Sequence, residues 1–426
     1  MPVVRNYGQN LRFRPRRVVT PRSVDELVAV VRGASKLRAV GGAHSWSAGI
    51  VTDDTLVSLD RMRGVLEVDR ARRQVTVQAG MRLRELNLHL DRLGLALANL
   101  GSIDSQSVAG VIATATHGTG RAFRCLSTQV ARLDLVDGRG ERVRLARGDP
   151  DFDGAVVGLG ALGVVHSVTF DVVDAFRLHD VTGTAPFGET IERIDELVDG
   201  CDHFKLWWFA PLDDVITFQY QRTGRPSDDR PTRRWFKDKV LGVAVYQSLV
   251  ALGRLSGRRF IPALNRFLTR EAGRPLERTT PSYIGFLTPV PPTHRETEWA
   301  FDARDAKPLL RAYRRLLPAD GHTYNFVQEI RFTKADDLWL SPAYQRDSIW
   351  LSMYNIDPRN WGAQKAKFEA FAREHGGRPH WGKEATFDRA YLESQYPRLG
   401  DFARLAARYD PERKLQNEWL AQLLGG

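Results

Sequence analysis

The apolar positions of this chain change their period several times, and each change marks an element. Ser23-Val24-Asp25-Glu26 opens an amphipathic stretch that runs through Val31 and stops near Gly33, the pattern of a capped helix. Leu37 to Val40 is a short strand pattern that feeds a glycine loop. Short β-type runs follow at Leu56 to Leu59, Val65 to Val68 and Val75 to Val77, after which Arg82 to Leu93 takes helical spacing and stops at Gly94. Further strands are predicted at Gln129 to Val136 and Val164 to Val172. Helices and strands follow one another irregularly, so the fold class is α+β and not a repeating βαβ series.

Beyond Val173 the texture changes: the chain becomes richer in Trp, Phe, Tyr and Arg, with a proline-dense joint at Pro289 to Pro292. Alternation at Phe204 to Phe209, Val215 to Tyr220 and Ile349 to Tyr354 predicts a sheet with one covered face. A length of 426 residues exceeds one ordinary core. These patterns place a first domain at 1–175, a second at 176–375, and a C-terminal segment, 376–426, that returns toward the first.

Composition narrows the function classes. With 42% hydrophobic, 27% charged and 10% aromatic residues, the chain folds. Met1-Pro2-Val3-Val4-Arg5-Asn6 lacks the order of a secretory signal, and no stretch is apolar for the roughly 18 residues a spanning helix needs. Cys125 and Cys201 lie far apart and suggest neither a disulfide framework nor a thiolate metal site. A cytoplasmic setting is expected.

Net charge is +11, concentrated in residues 221–280, which hold 14 Arg and Lys against 5 Asp and Glu. Within that segment the apolar run Val240 to Leu252 precedes Arg254, Arg258, Arg259, Arg266 and Arg270. Several readings stand open: a core helix with a solvated basic face, or a basic amphipathic element. The latter would rest on the inner face of an anionic membrane, making the protein peripheral there, or dock an acidic redox partner. Charge without a recognition motif gives nucleic acid only a non-specific attraction, so no nucleic-acid partner is expected.

Six short stretches carry chemistry. Gly41-Gly42-Ala43-His44-Ser45 follows a strand, and its backbone N–H groups can form a nest for a diphosphate, with His44 beside an extended ligand. Ser105 to Gly110 and Thr114 to Gly120 are dense in small donors that let a flat or charged ligand reach the backbone. Gly158-Leu159-Gly160-Ala161-Leu162-Gly163 matches GxGxxG, yet Val164 to Phe170 alternates as a strand where a dinucleotide fingerprint needs a helix, so a tight turn near a cofactor is expected instead. Glu329 and Arg331 share one face of a strand pattern, an acceptor beside a donor. His380-Trp381-Gly382-Lys383 brings an imidazole and a cation to one place. Taken singly, these are a loop histidine, hydroxyl-rich turns and a surface ion pair. No HExxH, GxSxG or GxxxxGK[ST] occurs, so hydrolase and P-loop chemistry is excluded, and no metal is expected.

Taken in order, these residues resemble the sugar-1,4-lactone and alditol oxidases, FAD enzymes of the vanillyl-alcohol oxidase type that include the L-gulonolactone, D-arabinonolactone and xylitol oxidases. The resemblance runs from Asn6-Tyr7 and Phe13-Arg14-Pro15 to Gln416-Asn417, and includes Asn99-Leu100-Gly101-Ser102. It implies a two-lobed FAD-binding domain and an antiparallel-sheet cap. It further implies that His44 is bonded to the 8α-methyl of FAD and that Gly41, Gly42, Ala43, Ser45, Trp46, Ser107, Gly110, Thr114, Thr116 and His117 hold the cofactor. Val164 and Val165 would lie by the adenine end, and His380 would touch the flavin. Ser107, Glu329, Arg331 and Lys383 would line the substrate pocket, Glu329 orienting a hydroxyl and the two cations balancing negative charge.

The reaction so implied is oxidation of a D-arabinono- or L-gulono-type 1,4-lactone by hydride transfer to flavin N5, with oxygen as acceptor and hydrogen peroxide as product. An alditol oxidase, or a lactone dehydrogenase using a cytochrome or quinone, is the alternative. In the family a glycine at the position of Gly101 goes with oxygen use and an alanine with dehydrogenase behaviour. The chain departs from the usual Gly-Ser-Gly-His-Ser-Phe loop at Ala43 and Trp46, and relatives often place histidine or threonine near Tyr354, so substrate choice is the property least constrained by the resemblance.

Overall fold

A computed structural model describes residues 1–232, 248, 260–288, 293–317, 326–356 and 358–425. Ser23 caps the helix Val24–Gly33, its hydroxyl accepting from Glu26 N at 3.2 Å, and the helix presses Leu27 and Val31 into the core. Beside it lies a parallel three-stranded sheet with Thr55–Ser58 in the centre, flanked by Arg17–Val19 and Leu37–Val40. The second lobe is an antiparallel sheet in the order Arg142–Ala146, Val130–Asp137, Gly163–Asp171, Gln74–Gln78, Val65–Asp69. The helix Leu83–Arg92 stops at Gly94, which takes φ +73°.

The cap is one eight-stranded antiparallel sheet. Its order is Leu276–Pro281, Arg177–Pro186, Asp214–Thr223, His203–Trp208, Gln328–Thr333, Ser348–Asn355, Arg295–Asp302, Arg378–Pro379. One face packs Phe204, Leu206, Ile330, Phe332, Leu351 and Met353 against Leu309, Leu310, Tyr313 and Phe368 of the helices Ala306–Leu316 and Trp361–Glu374. The expectation of one covered face needs correction. In Gln328–Thr333 every residue is buried, and nearly every one in Ser348–Asn355, because the polar positions of the alternation close over the other domain.

The last segment bridges both units. Arg378–Pro379 pairs on the cap edge, and the helices Leu399–Tyr409 and Glu418–Leu424 then bury Phe402, Leu405, Leu420 and Leu423 in the core of the first domain. His380 to Lys383 therefore sits where the two domains meet. The run Val240 to Leu252, Ser248 aside, falls outside the described residues, as do Arg254, Arg258, Arg259 and the joint Pro289 to Pro292. The helix Ile261–Ala272 that follows exposes Phe267 and carries Arg266 and Arg270. No helix among the described residues is long and apolar enough to cross a membrane.

Candidate active site

The strand Leu37–Val40 delivers the loop Gly41 to Ser45 against Ser107 and the turn Gly158 to Leu162, and these line a cavity of about 140 Å³. Glycine is required here by close approach. A Cβ on Gly41 would run into Ser107 Oγ, and one on Gly42 would lie 3.0 Å from Ser105 O. Ala43 is left-handed, with φ +52°, a conformation that costs a residue bearing Cβ roughly 1 kcal/mol or more.

Arg38 fixes this floor. Its buried guanidinium donates to Gly49 O at 2.5 Å, Leu159 O at 2.8 Å, Gly160 O at 3.0 Å and Leu415 O at 2.5 Å, so one side chain ties the loop, the turn and the C-terminal segment. Burial lowers its pKa to about 10 even though Asp410 opposes the shift. Three polar atoms beside this cavity, Ser105 Oγ, Gln106 Oε1 and Arg82 Nη1, are buried without a hydrogen-bond partner among the described residues. Orphaned polar groups around a glycine-lined cradle fit a phosphate- and hydroxyl-bearing cofactor such as FAD.

A second cavity, of about 360 Å³, opens under the cap. His44, Ser45, Gln106 and Thr114 line both cavities, so the two adjoin at the histidine. The cap supplies its roof as cross-strand rows, since alternate residues of neighbouring strands face the same way. One row runs Lys205, Arg331, Trp350; the next runs Trp207, Glu329, Ser352, Glu298; in a third, Tyr354 stands opposite Glu296.

Three buried carboxylates lie in this roof, each paired. Lys383 Nζ is 2.5 Å from Glu296 Oε1 and 4.7 Å from the centre of the Trp46 ring. Glu298 accepts from Ser352 Oγ at 2.7 Å and lies 3.3 Å from His117 Nε2. Arg331 grips Glu329 and Ser102 Oγ, the latter at 2.6 Å. Burial would raise the Glu329 carboxyl, but Arg331 and Lys205 override it and hold it at about 2. Burial would likewise raise the Glu298 carboxyl, but His117 overrides it and holds the group well below the ordinary carboxylate range. Burial pushes His380 down to about 3. His44 falls to about 4, through burial first and then Arg82 and Lys383, so both imidazoles are neutral at pH 7.

The expected site residues divide between the cavities. Gly41, Gly42, Ala43, Gly110, Val164 and Val165 line the cradle, while Thr116, His117, His380, Glu329, Arg331 and Lys383 line the larger cavity. His44, Ser45 and Thr114 belong to both. Trp46, expected at the cofactor, lines the larger cavity and donates Nε1 to His294 O at 2.9 Å. Ser107 lines the cradle, where its hydroxyl accepts from Gly110 N at 3.2 Å as the cap of Val108–Ala113. His117, Glu298 and His380 bring one donor atom each within 4.8 Å, a set that sequence reading did not anticipate. Both ring nitrogens of His117 are engaged, by Gly118 O at 2.9 Å and by Glu298.

Sequence reading missed Tyr7, Trp207, His294, Glu296 and Glu298, all in the larger cavity. The signal was present in Arg295-Glu296-Thr297-Glu298-Trp299, where two acids alternate within a strand. Read alone, such acids pass for solvent-facing positions.

Fold and cradle together define an FAD-binding protein with the vanillyl-alcohol oxidase type of fold: an FAD binding domain model matches residues 15–146. A cholesterol oxidase from Brevibacterium sterolicum superposes with a TM-score of 0.86 over 99% of this chain and 96% of its own, at 16% identity, a likeness of fold alone. The chain belongs to the D-arabinono-1,4-lactone oxidase family, whose model matches residues 168–423. It is 34% identical to the L-gulono-1,4-lactone dehydrogenase of Mycobacterium tuberculosis, covering 100% of this chain and 99% of that one. It is 31% identical to an alditol oxidase of a Streptomyces species over 99% of each, and 29% identical to the L-gulonolactone oxidase of Bos taurus over 98% and 96%.

Proposed function

We propose that this protein oxidises a sugar-1,4-lactone of the D-arabinono or L-gulono type, using FAD tethered through His44, with oxygen as acceptor and hydrogen peroxide as product. The observation that carries this reading is that the cradle and the Glu329–Arg331–Lys383 cavity adjoin at His44, which lines both. The substrate class is supported by the names of the relatives that match nearly end to end. A neutral His44 keeps a ring lone pair for a bond to the cofactor's 8α-carbon.

Gly41 and Gly42 would admit the diphosphate, Arg82 Nη1 and the Ser105 hydroxyl would donate to the cofactor, Gln106 Oε1 would accept from one of its O–H or N–H groups, and His380 would face the flavin. When bound, FAD supplies the two-electron acceptor for the hydride. The chain positions the alcohol carbon, excludes water, and stabilises negative charge on the substrate oxygen through Arg331 and Lys383. Glu329 and Glu296 hold those two cations in place. Gly101 lines the same cavity, and its lack of a side chain supports access for oxygen.

Two alternatives keep specific support: alditol oxidation from the Streptomyces relative, and a non-oxygen acceptor from the mycobacterial dehydrogenase. Anaerobic mixing of the flavin-loaded protein with L-gulono-1,4-lactone tests the reading. Bleaching of the oxidised flavin spectrum is expected; an unchanged spectrum at saturating lactone contradicts it.

A further inference from the structure

Residues 4–13 hold the loop that carries His44. Val4–Arg5 pairs with Arg12–Phe13, and the turn between them lies along the loop. Tyr7 N donates to Ala43 O at 2.8 Å, Asn6 Nδ2 to Ser45 O at 2.9 Å and Asn10 Nδ2 to Trp46 O at 2.8 Å. Asn6 is itself fixed, since its Oδ1 accepts from Leu11 N at 3.0 Å and its Nδ2 also reaches Asn10 Oδ1 at 2.6 Å. A Cβ on Gly8 would lie 2.3 Å from Trp46 Nε1, so the backbone of the turn rests on that indole. The turn therefore binds carbonyls on both sides of His44, including that of Ala43, whose left-handed backbone persists only with such support.

Among the described residues the His44 imidazole has a ring contact and no hydrogen bond. That contact is with Tyr7, whose ring centre lies 5.0 Å away with the planes tilted by 33°. Tyr7 is in turn wedged edge-on against Trp46 and His294, each at 6.1 Å. On the cradle side Gly42 closes in: a Cβ there would lie 2.9 Å from His44 Cδ2. Burial, then Glu296, push the Tyr7 phenol up to about 12, so it stays protonated at pH 7 and is no base; what Tyr7 offers His44 is its ring.

We propose that Tyr7 is a positioning residue for flavin attachment: seated in the turn that clamps the loop, it stacks on His44 and fixes the imidazole in the orientation from which it bonds the 8α-carbon of FAD. In that step an 8α C–H bond breaks and a C–N bond forms. The carbon and the imidazole each release one proton, and the two electrons pass to the flavin ring, from which dioxygen takes them with both protons as hydrogen peroxide. The rate of such a step depends on how well the nucleophile is oriented. This inference rests on the tether proposed above.

The test follows attachment itself. Full-length chain from riboflavin-starved cells, wild type or carrying Tyr7→Phe, Tyr7→Leu or Tyr7→Ala, is mixed with FAD in air, and samples quenched in acid are run on a denaturing gel. Fluorescence on the band reports the bond; flavin kept by the native protein after desalting reports binding. Tyr7→Phe retains the ring and should attach FAD within about twofold of the wild-type rate, whereas Tyr7→Leu and Tyr7→Ala should bind FAD and attach it at least about fivefold more slowly. Should Tyr7→Ala fail to hold FAD, Tyr7→Leu, which keeps the bulk without a flat ring, decides. A smaller slowing in Tyr7→Leu overturns the proposal, as does Tyr7→Phe as slow as Tyr7→Leu. Loss of FAD binding in both Tyr7→Leu and Tyr7→Ala makes the role structural and overturns it too. Wild type that keeps flavin but shows none on the band removes the tether and this inference with it, and wild type that keeps no flavin removes the cofactor as well.

Discussion

Arg331 combines a guanidinium fork with complete enclosure: Nη2 reaches Glu329 and Ser102, and Glu329 drives its pKa further up than burial lowers it. Lysine can supply the charge but not the fork. Arg331→Lys should therefore slow lactone-driven flavin reduction by roughly a hundredfold while FAD stays bound, as stopped-flow spectra would show. His203 sets a pH dependence of stability. Its Nδ1 lies 2.7 Å from Thr119 O, and burial lowers its pKa to about 4 against a partial offset from that carbonyl. Below its unfolded value near 6.5 the unfolded chain takes up a proton that the folded chain refuses. Stability is thus lost as pH falls from about 6.5 to about 4, at up to about 1.4 kcal/mol per unit. His380, at about 3, adds to the loss, while Asp336, raised to about 6 by burial, opposes it between about 6 and its ordinary range near 4. Urea unfolding of His203→Asn, which keeps a donor toward Thr119, should give a flatter fall across that window; an unaltered fall would acquit His203.

At the scale of elements, the glycine loop is where geometry dictates residue type. Gly41→Ala would force a methyl group against Ser107 Oγ. Purified Gly41→Ala protein should carry markedly less FAD, measured by absorbance after denaturation, with its circular dichroism unaltered. This loop was legible in the sequence because a strand, two glycines and His44-Ser45 follow one another without a break. Helix Val24–Gly33 and strand Leu37–Val40 were legible for the same local reason: a cap and an alternating run. Gly158 to Gly163 was separated from a Rossmann motif by the strand that follows it, and Gly163–Asp171 is that strand. What stayed hidden depends on partners far apart in the chain. Arg38, a charged residue in a short strand, gives no local sign that four carbonyls await it. The polar positions of Arg295–Asp302 look solvent-facing until the cap closes over them. That the Ser107 hydroxyl caps the helix Val108–Ala113 likewise shows only once the fold is in place.

At the scale of the molecule, two cores and a returning C-terminal segment bring residues from Tyr7 to Lys383 around one cavity. The choice of acceptor belongs to this scale, because it turns on access from solvent. A Cβ on Gly101 would lie 3.3 Å from Thr116 Cγ2 and 3.4 Å from His117 O, tight but tolerable. Gly101→Ala should leave anaerobic reduction by lactone intact and slow reoxidation by oxygen about tenfold or more. Equal reoxidation rates would favour an acceptor other than oxygen. The central claim is that cradle and cavity form one site joined at His44. The most direct measurement is to denature the purified protein and its His44→Ala variant in acid, run both on a denaturing gel and image flavin fluorescence on the bands. Fluorescence on the wild-type band alone is the predicted result. A dark wild-type band would contradict the account: flavin freed into the supernatant would remove the tether at His44, and no flavin in either fraction would remove the cofactor as well.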